Sequence, residues 1–275
     1  MDELSAEQNV AALGALEDTE IDLAEAALAI GVLDYPSVDL TSYRAHLNTL
    51  VADVRRSRSS KTGLEGRIQR INRVLFETHG YAGDAESYDD PQNANLIRVI
   101  DRHLGLLVIL GVLYIHVARA QRWEADGLAF PGHFLVRLEI EGRRAIVDPF
   151  HAGQVLQAGD LRNMLKQFMG TDAELLPEHY ATVSNRNILL RAMNNIKTRA
   201  IDGSDIERAA VILDRMTILA PQVPGPWREL GMLEARRGNM SRAIRAIQTY
   251  ANYATTDDDR EAAARMIKKL KTDLN

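Results

Sequence analysis

The sequence of 275 residues contains no cysteine. This absence excludes disulfide bonds, metal sites built on thiolates and catalysis by a thiol nucleophile. It is consistent with a reducing compartment, where disulfides do not persist. The first ten residues, MDELSAEQNV, are polar and acidic, and they lack the basic and apolar regions of a signal peptide. We therefore expect a cytoplasmic protein.

The chain also lacks a long apolar segment and an excess of positive charge. Its most apolar stretch, LGLLVILGVLYI at 104–115, has about a dozen residues, whereas a membrane-spanning helix needs roughly 20. His116 and Arg119 follow at once, so we predict a buried helix and no membrane contact. The net charge is −5, and the only basic run, RRSRSSK at 55–61, is interpreted as a solvated helix end. No nucleic-acid partner is therefore expected.

Motifs that bind cofactors are absent from the sequence as well. The glycines form neither a G-x-G-x-x-G motif nor a Walker-type phosphate-binding loop, so nucleotide binding is not expected. The histidines show no H-x-x-x-H or H-x-H spacing, and no metal or other cofactor is predicted.

One acidic loop leaves an alternative open. Asp89, Asp90 and Asn93 in YDDPQNAN offer the oxygen ligands that hard cations prefer. Their spacing lacks the EF-hand pattern and its terminal glutamate. Local turns of Asp and Asn side chains onto the backbone explain the same residues, so we favour a structural loop.

The periodicity of apolar residues divides the chain into a helical beginning, a mixed centre and a helical end. Helical spacing continues to about residue 58, gives way to alternation between Phe130 and Val147, and returns after Gly159. The predicted parts are a helical N-terminal cap at 1–60, a mixed core at 61–160, a connecting helical segment at 161–189 and helical repeats at 190–275.

The predicted core begins with two helices. Thr62 and Glu65 have the spacing of a capping box at the start of the first helix, and Gly80 is expected to end it in a left-handed conformation. Gly105 interrupts the following helical segment. The apolar helix then runs from Leu107 to Gln121.

Two strands follow, at Phe130–Ile140 and 144–147, joined by a hairpin turn at EGRR. The first strand carries His133, and Asp148 closes the second. A histidine oriented by an aspartate is the arrangement that activates a thiol nucleophile. Because this chain has no thiol, the pair needs another explanation.

The C-terminal part contains an internal repeat. In the segment WRELGMLEARRGNMSRAIRAI, a tryptophan, a Leu-Gly pair and an alanine stand at the offsets of a tetratricopeptide repeat, a helix pair of about 34 residues. Two such units, at 190–223 and 224–257, are predicted, followed by a polar capping helix at 258–272. Stacked helical repeats present an extended surface, so a protein or peptide partner is expected there.

The central motifs resemble those of the bacterial SirB-type family. The similarity runs from about Ile71 to Gly153 and includes INRVLF, GYAGDAESYDDPQNANL, GLLVILGVLY, FPGHFLVRLE and VDPFHAG. Proteins of this family pair a transglutaminase-like domain with tetratricopeptide-like repeats, a layout that the helical tail also fits. The resemblance implies an α+β fold with a papain/transglutaminase-like core, a helical N-terminal cap and an all-α C-terminal repeat region.

The resemblance also implies where a catalytic triad would stand. In active transglutaminases the cysteine lies two residues after a glycine that opens the central helix, so Gly105 corresponds to that glycine and Leu107 to the nucleophile. The histidine of the triad falls on His133 and the aspartate on Asp148. Many SirB-type relatives also lack the cysteine and read Gly-Ile-Pro-Ile-Ser there. This chain has Leu-Leu-Val-Ile at 106–109, so even that serine is absent.

A leucine cannot attack a carbonyl group, and the loss of one triad member costs several powers of ten in rate. We therefore predict no transglutaminase or protease activity and interpret His133 and Asp148 as a retained structural pair. The expected function is that of a protein-interaction, adaptor or regulatory module. Two alternatives stay open: a hydrolase in which His133 and Asp148 activate water, and a small-molecule sensor in the vestigial cleft.

Overall fold

The computed structural model describes residues 3–274, with side chains described for residues 8–272. Helices predominate, and four strands form a small antiparallel sheet. The helices are α1 (Glu3–Ala15), α2 (Leu23–Val32), α3 (Thr41–Arg56), α4 (Gly63–Asn72), α5 (Leu96–Arg102), α6 (Leu107–Ala120), α7 (Ala158–Met169), α8 (Asn185–Asp202), α9 (Ile206–Leu219), α10 (Pro224–Arg236), α11 (Met240–Tyr253) and α12 (Asp257–Leu274). The strands are β1 (Ala82–Gly83), β2 (Leu104–Gly105), β3 (Glu124–Leu128), β4 (Leu135–Ile140), β5 (Arg143–Asp148) and β6 (Gln154–Leu156).

Helices α2 and α3 pack against α6. Asp22 caps α2, because its side chain accepts hydrogen bonds from the backbone N–H groups of Ala24 and Glu25 at 3.0 and 3.1 Å. These bonds satisfy donors that have no partner within the first turn of a helix. Helix α3 buries Leu47 and Leu50 on one face, as its helical spacing predicts.

Helix α6 is buried along nearly its whole length. It packs against the neighbouring helices and against β3 and β4. Gly111 permits this close approach, because a Cβ atom at that position would collide with the ring of Phe134. The apolar stretch of the sequence is therefore the centre of a core, as predicted. Across residues 3–274, no helix is both long enough and apolar enough to cross a membrane.

The four strands β3, β4, β5 and β6 form an antiparallel sheet in that order. The predicted hairpin joins β4 and β5 through Glu141 and Gly142, both with positive φ, as a tight turn requires. The predicted first strand was too long, since β4 begins only at Leu135. Pro131 and Gly132, whose φ is +68°, turn the chain before it, so His133 lies in a turn and not on a strand.

The start of α4 differs from its prediction. The Thr62 side chain makes no capping hydrogen bond, and Glu65 instead forms an ion pair with Lys61 at 3.0 Å, so the predicted capping box is wrong. After Asn72 the helix continues as a wider, π-type turn. Gly80 follows with a φ of +68°, the left-handed conformation expected there.

The chain divides into two compact units. One comprises Glu17–Ala192, and the other comprises Glu7–Leu16 together with the residues from Met193 onward. Part of α1 therefore belongs with the C-terminal helices, whereas the sequence placed it in an N-terminal cap. Gly14 lies close to α9 in that unit, because a Cβ atom there would collide with the carbonyl oxygen of Ile218.

The C-terminal unit contains helix pairs at the predicted repeats. Helices α8 and α9 correspond to the first predicted repeat, α10 and α11 to the second, and α12 to the capping helix. Gly231 of α10 lies against Ile247 of α11, where a larger residue would collide. The Trp227 indole donates a hydrogen bond to the Pro221 carbonyl at 2.8 Å, which fixes the loop that precedes α10. Tyr250 is buried at the contact with Ala263 of α12.

Candidate functional site

The two residues predicted to form a catalytic-type pair, His133 and Asp148, lie side by side. His133 stands in the turn before β4, and Asp148 is the last residue of β5. Because Val136 pairs with Val147 in the sheet, the start of β4 lies next to the end of β5. Nε2 of His133 lies 2.8 Å from Oδ2 of Asp148, which is a hydrogen-bonding distance.

A second histidine joins this pair. Nδ1 of His151 lies 2.7 Å from the same Oδ2 atom of Asp148. The other carboxylate oxygen, Oδ1, accepts hydrogen bonds from the backbone N–H groups of Phe150 and His151 at 3.0 and 3.4 Å. Asp148 thus caps a short 3-10 turn, Pro149–His151, and that turn carries His151 back to it. His151 was not among the residues predicted for the site, although its position three residues after a capping aspartate was the available signal.

The environment of Asp148 keeps it ionised. Burial leaves only 2% of its side chain exposed and disfavours the charged form. The hydrogen bonds and charges of His133 and His151 outweigh burial, so the pKa of Asp148 lies below its ordinary value. An ionised carboxylate only accepts hydrogen bonds. Nε2 of His133 and Nδ1 of His151 must therefore both carry protons.

The turn from Asp148 to Gly153 is anchored to α4 and α6. The Gly153 N–H donates to the Asp148 carbonyl at 2.8 Å, and the Asn72 side chain donates to the Gly153 carbonyl at 2.9 Å. The hydroxyl of Tyr114, which is fully buried, in turn donates to Oδ1 of Asn72 at 3.0 Å. Burial raises the pKa of Tyr114, so its hydroxyl keeps its proton as a donor. This network fixes the position of the carboxylate.

A cavity of about 490 Å³ opens beside the three side chains. A volume of this order is typical of a small-molecule site. Phe168 lines it and is 64% exposed, with its ring against Gly132. Its wall also carries three amide side chains, those of Gln154, Asn163 and Gln167. Leu107 is not among the residues of the described chain that line this cavity.

The position implied for a nucleophile has no reactive group. Leu107 is the first residue of α6 and is half-buried. Helix N-termini lower the pKa of a thiol, but residues 104–113 offer no thiol, hydroxyl or carboxylate. The 3-10 turn that carries His151 packs against α6. Asp148 therefore orients two imidazoles, whereas the helix start implied for the nucleophile offers no attacking atom.

The acidic loop at Asp89, Asp90 and Asn93 is organised by its own hydrogen bonds. Asn93 is fully buried, and its amide donates to Asp84 and to the Ser87 carbonyl at 3.0 and 2.7 Å. The guanidinium group of Arg102 donates to the Asn93 side-chain oxygen at 2.9 Å and lies 3.5 Å from Asp90. A side-chain cation already contacts these oxygens, which favours the structural interpretation of the loop.

Comparison with known proteins gives two family matches along the chain. Residues 41–194 match the transglutaminase-like superfamily, and residues 196–268 match the tetratricopeptide repeat. Together these matches reproduce the order of parts seen in the structure.

Full-length relatives are found across bacteria. A UPF0162 protein of Xylella fastidiosa strain Temecula1 is 31% identical over 241 residues, which cover 86% of each chain. A UPF0162 protein of Vibrio cholerae is 25% identical over 254 residues, which cover 92% of this chain and 94% of the relative. A crystal structure of menin aligns over 94% of this chain and 73% of its own, with a TM-score of 0.41 at 12% identity. That likeness is too low to support an argument about fold or function.

Proposed function

The chain belongs to the transglutaminase-like superfamily and to the SirB-type family of UPF0162 proteins, and from this premise we propose that it is a non-catalytic member that acts as a cytoplasmic protein-interaction module. The observation that carries the proposal is Leu107, an inert side chain at the helix start where the family resemblance implies a nucleophile. Tetratricopeptide repeats bind proteins in general, so the repeats would hold the partner. The core would then act as an adaptor or regulator.

The repeat unit offers an apolar groove for such a partner. It has a volume of about 340 Å³ and runs between α10, α11 and α12. Three methionines line it, Met232, Met240 and Met266, together with Ile247 and Leu270. Met232 is 43% exposed, although burial of its side chain would be favourable. Methionine side chains adapt to partners of different shape, which suits an interaction surface.

The charge of the groove indicates the chemistry of the partner. The charged residues that line it are Arg236 and Lys269, both cationic and both exposed. A helix or peptide with apolar side chains flanked by acidic ones would match both the groove and its edges. We therefore assign the groove to an acidic amphipathic segment of a partner protein.

Affinity purification from the native host tests this assignment. The wild-type chain is compared with Met232→Asp and Lys269→Glu, which change the groove, and with Ile201→Asp, which changes a 37% exposed apolar residue of α8 that does not line it. We expect the same proteins with wild type and Ile201→Asp, and their loss with both groove variants. A synthetic peptide from the recovered partner should then bind with the same ranking.

Two results would contradict the proposal. Recovery of identical proteins by all four chains would show that the groove does not bind the partner. Failure to recover any reproducible protein would argue against an interaction module as such.

A separate assay tests the absence of catalysis. Amide and ester substrates are incubated with the wild-type chain and with His133→Ala. We expect equal background rates, because no nucleophile is present for His133 to activate. A rate that disappears in His133→Ala would overturn the non-catalytic assignment.

That outcome would favour the second candidate, a hydrolase in which His133 and Asp148 activate water. The observation in its favour is the open cavity of about 490 Å³ beside the intact pair. A small-molecule sensor is favoured by the same cavity. It would be recognised by a ligand that raises the melting temperature of the wild-type chain without being converted.

A further inference from the structure

Three side chains of metal-ligating type converge at the end of β5. One potential ligand atom from each of His133, Asp148 and His151 lies within 4.8 Å of the other two. Among the described residues, this is the cluster of three His, Asp or Glu side chains that could hold a metal ion. The spacing of the histidines along the sequence predicts no metal site. Folding nevertheless brings His133 next to the Asp148–His151 turn, fifteen residues away along the chain.

The carboxylate is already oriented for a ligand role. The backbone N–H groups of Phe150 and His151 occupy Oδ1 of Asp148, which leaves Oδ2 facing the two histidine rings. Hydrogen bonds that fix a ligand from outside the coordination sphere are a regular part of metal sites. The backbone of the same turn is held through Gly153 and Asn72.

The two rings need little movement to share a metal ion with Asp148. Zinc–nitrogen and zinc–oxygen bonds of about 2.0–2.2 Å place two ligands of a tetrahedral site about 3.3 Å apart. The present nitrogen–oxygen distances of 2.8 and 2.7 Å would therefore open by about half an ångström, and the two nitrogens, which lie within 4.8 Å of each other, would take up the same separation. The side chain of His151 is 60% exposed, so its ring has room to turn.

Metal binding also requires the protons on the two histidine nitrogens that face Asp148 to move. A metal ion would replace the protons on Nε2 of His133 and Nδ1 of His151. Each neutral ring would then carry its proton on its other nitrogen, which is the ordinary alternative tautomer. Two neutral imidazoles and one carboxylate leave one positive charge on a bound divalent ion.

We infer that His133, Asp148 and His151 form a binding site for a divalent transition-metal ion such as Zn²⁺. Imidazole nitrogens select this class of ion over Mg²⁺ and Ca²⁺, which prefer all-oxygen sites. The three residues line the cavity of about 490 Å³, so the remaining coordination positions face solvent or a small oxygen ligand. Three protein ligands with an open position are typical of sites that bind water or substrate.

Metal titration of the full, untagged chain tests this inference. After treatment with a chelator, Zn²⁺ binding is measured by calorimetry and Co²⁺ binding by visible absorption, with Mg²⁺ as a comparison. We expect one Zn²⁺ per chain, a Co²⁺ spectrum typical of low coordination number, and no competition by Mg²⁺. His151→Gln should bind Zn²⁺ at least about 100-fold more weakly, since it loses a direct ligand.

His179→Gln is the matched control, because this histidine lies outside the group and is partly exposed. It should bind Zn²⁺ as the wild type does. Exposed His151 is chosen for the main variant so that folding is preserved, and circular dichroism of the metal-free chains verifies this. The inference is overturned if Zn²⁺ fails to bind with a stoichiometry of one, or if His151→Gln and His179→Gln bind it equally. Neither result depends on whether the repeats bind a partner.

Discussion

The turn Asp148–Gly153 packs against α6, yet it differs from the first turn of that helix in almost every physical property. The carboxylate of Asp148 makes four hydrogen bonds, and the backbone of its turn is tied to α4 and α6. Leu107 contributes only apolar surface. The histidine–aspartate pair of a catalytic-type site is therefore present, whereas the position implied for its nucleophile holds a leucine.

The contrast shows why a histidine–aspartate pair can be retained in a chain that has no nucleophile. Removal of a buried, hydrogen-bonded carboxylate leaves its partners unsatisfied, so it is costly whether or not chemistry takes place. A nucleophile at the start of a helix contributes little to stability and is replaced by a leucine at small cost. The interpretation of His133 and Asp148 as a structural pair follows from this difference and stays a prediction.

Replacement of Asp148 by alanine should have the largest effect on stability. It removes the partner of two imidazoles and the cap of a 3-10 turn. We expect a loss of about 4 kcal/mol in the free energy of unfolding. Urea unfolding followed by Trp123 fluorescence, in a Trp227→Phe background, reports on the unit that contains the site. A loss below about 1 kcal/mol would show that the hydrogen bonds do not hold this turn.

Gly153→Ala should come next. The φ of Gly153 is +71°, and a Cβ atom there would collide with the Asn72 side chain. We expect a loss of about 3 kcal/mol from backbone strain and the broken hydrogen bonds of Asn72. Gly142→Ala is the matched control, since φ is +76° with no atom within 4 Å of its Cβ position, and it should cost about 1 kcal/mol. Equal losses in the two variants would leave no role for Asn72.

Leu107→Ala tests how much the first turn of α6 contributes to the free energy of unfolding. Because Leu107 is half-buried, truncation should cost about 1.5 kcal/mol, well below the cost of Asp148→Ala. The same urea experiment measures it. A loss as large as that of Asp148→Ala would contradict the expectation that the start of α6 contributes less to stability than Asp148 does.

Leu107→Cys restores a thiol at the implied nucleophile position. The N-terminus of α6 should hold the pKa of that thiol below its ordinary value. The pH dependence of alkylation measures this pKa, with Val155→Cys on the exposed edge of β6 as the control. Identical profiles for the two thiols would mean that Leu107 does not mark the electrostatic position of a nucleophile.

The smallest expected effect concerns His46, a histidine outside the site. His46 Nε2 lies 2.8 Å from the hydroxyl of Tyr81, whereas His133 is paired with the carboxylate of Asp148. Burial, followed by the nearby His79 and His103, lowers the pKa of His46 below its ordinary value of 6.5.

The sign of the resulting pH effect follows from linkage. The unfolded chain takes up a proton at His46 more readily than the folded chain, so stability should fall as the pH drops below about 6.5 and level off once His46 is protonated in the folded state. His46→Gln should flatten the pH dependence of the melting temperature between about pH 7.5 and 5.5. An unchanged slope would assign that dependence to other groups.

Much of the fold was predictable from the sequence. Repeat spacing indicated the tetratricopeptide-like region, and the family resemblance implied the α+β class with a transglutaminase-like core; the family matches confirm both. The start of α6 at Leu107 followed from an apolar period, and the β4–β5 hairpin from alternation around a glycine turn. The division of the chain at 60, 160 and 189 stays a prediction.

Other features depended on three-dimensional context. The Thr62 capping box has the right spacing, but the local geometry pairs Glu65 with Lys61 instead. His151 entered the site only because Asp148 caps the turn that carries it. Spacing rules look for ligands a few residues apart, whereas His133 lies fifteen residues before Asp148 and reaches it from the turn before β4.

The contact of Gly14 with Ile218 has a consequence for the order of synthesis. The ribosome releases α1 early, but the surface that covers Val10 in that unit is translated about two hundred residues later. Until then this helix has no place to dock and its apolar side is open to chaperones. The unit thus joins a helix to a partner surface that is synthesised long after it, so this docking is a late step in the folding of the unit.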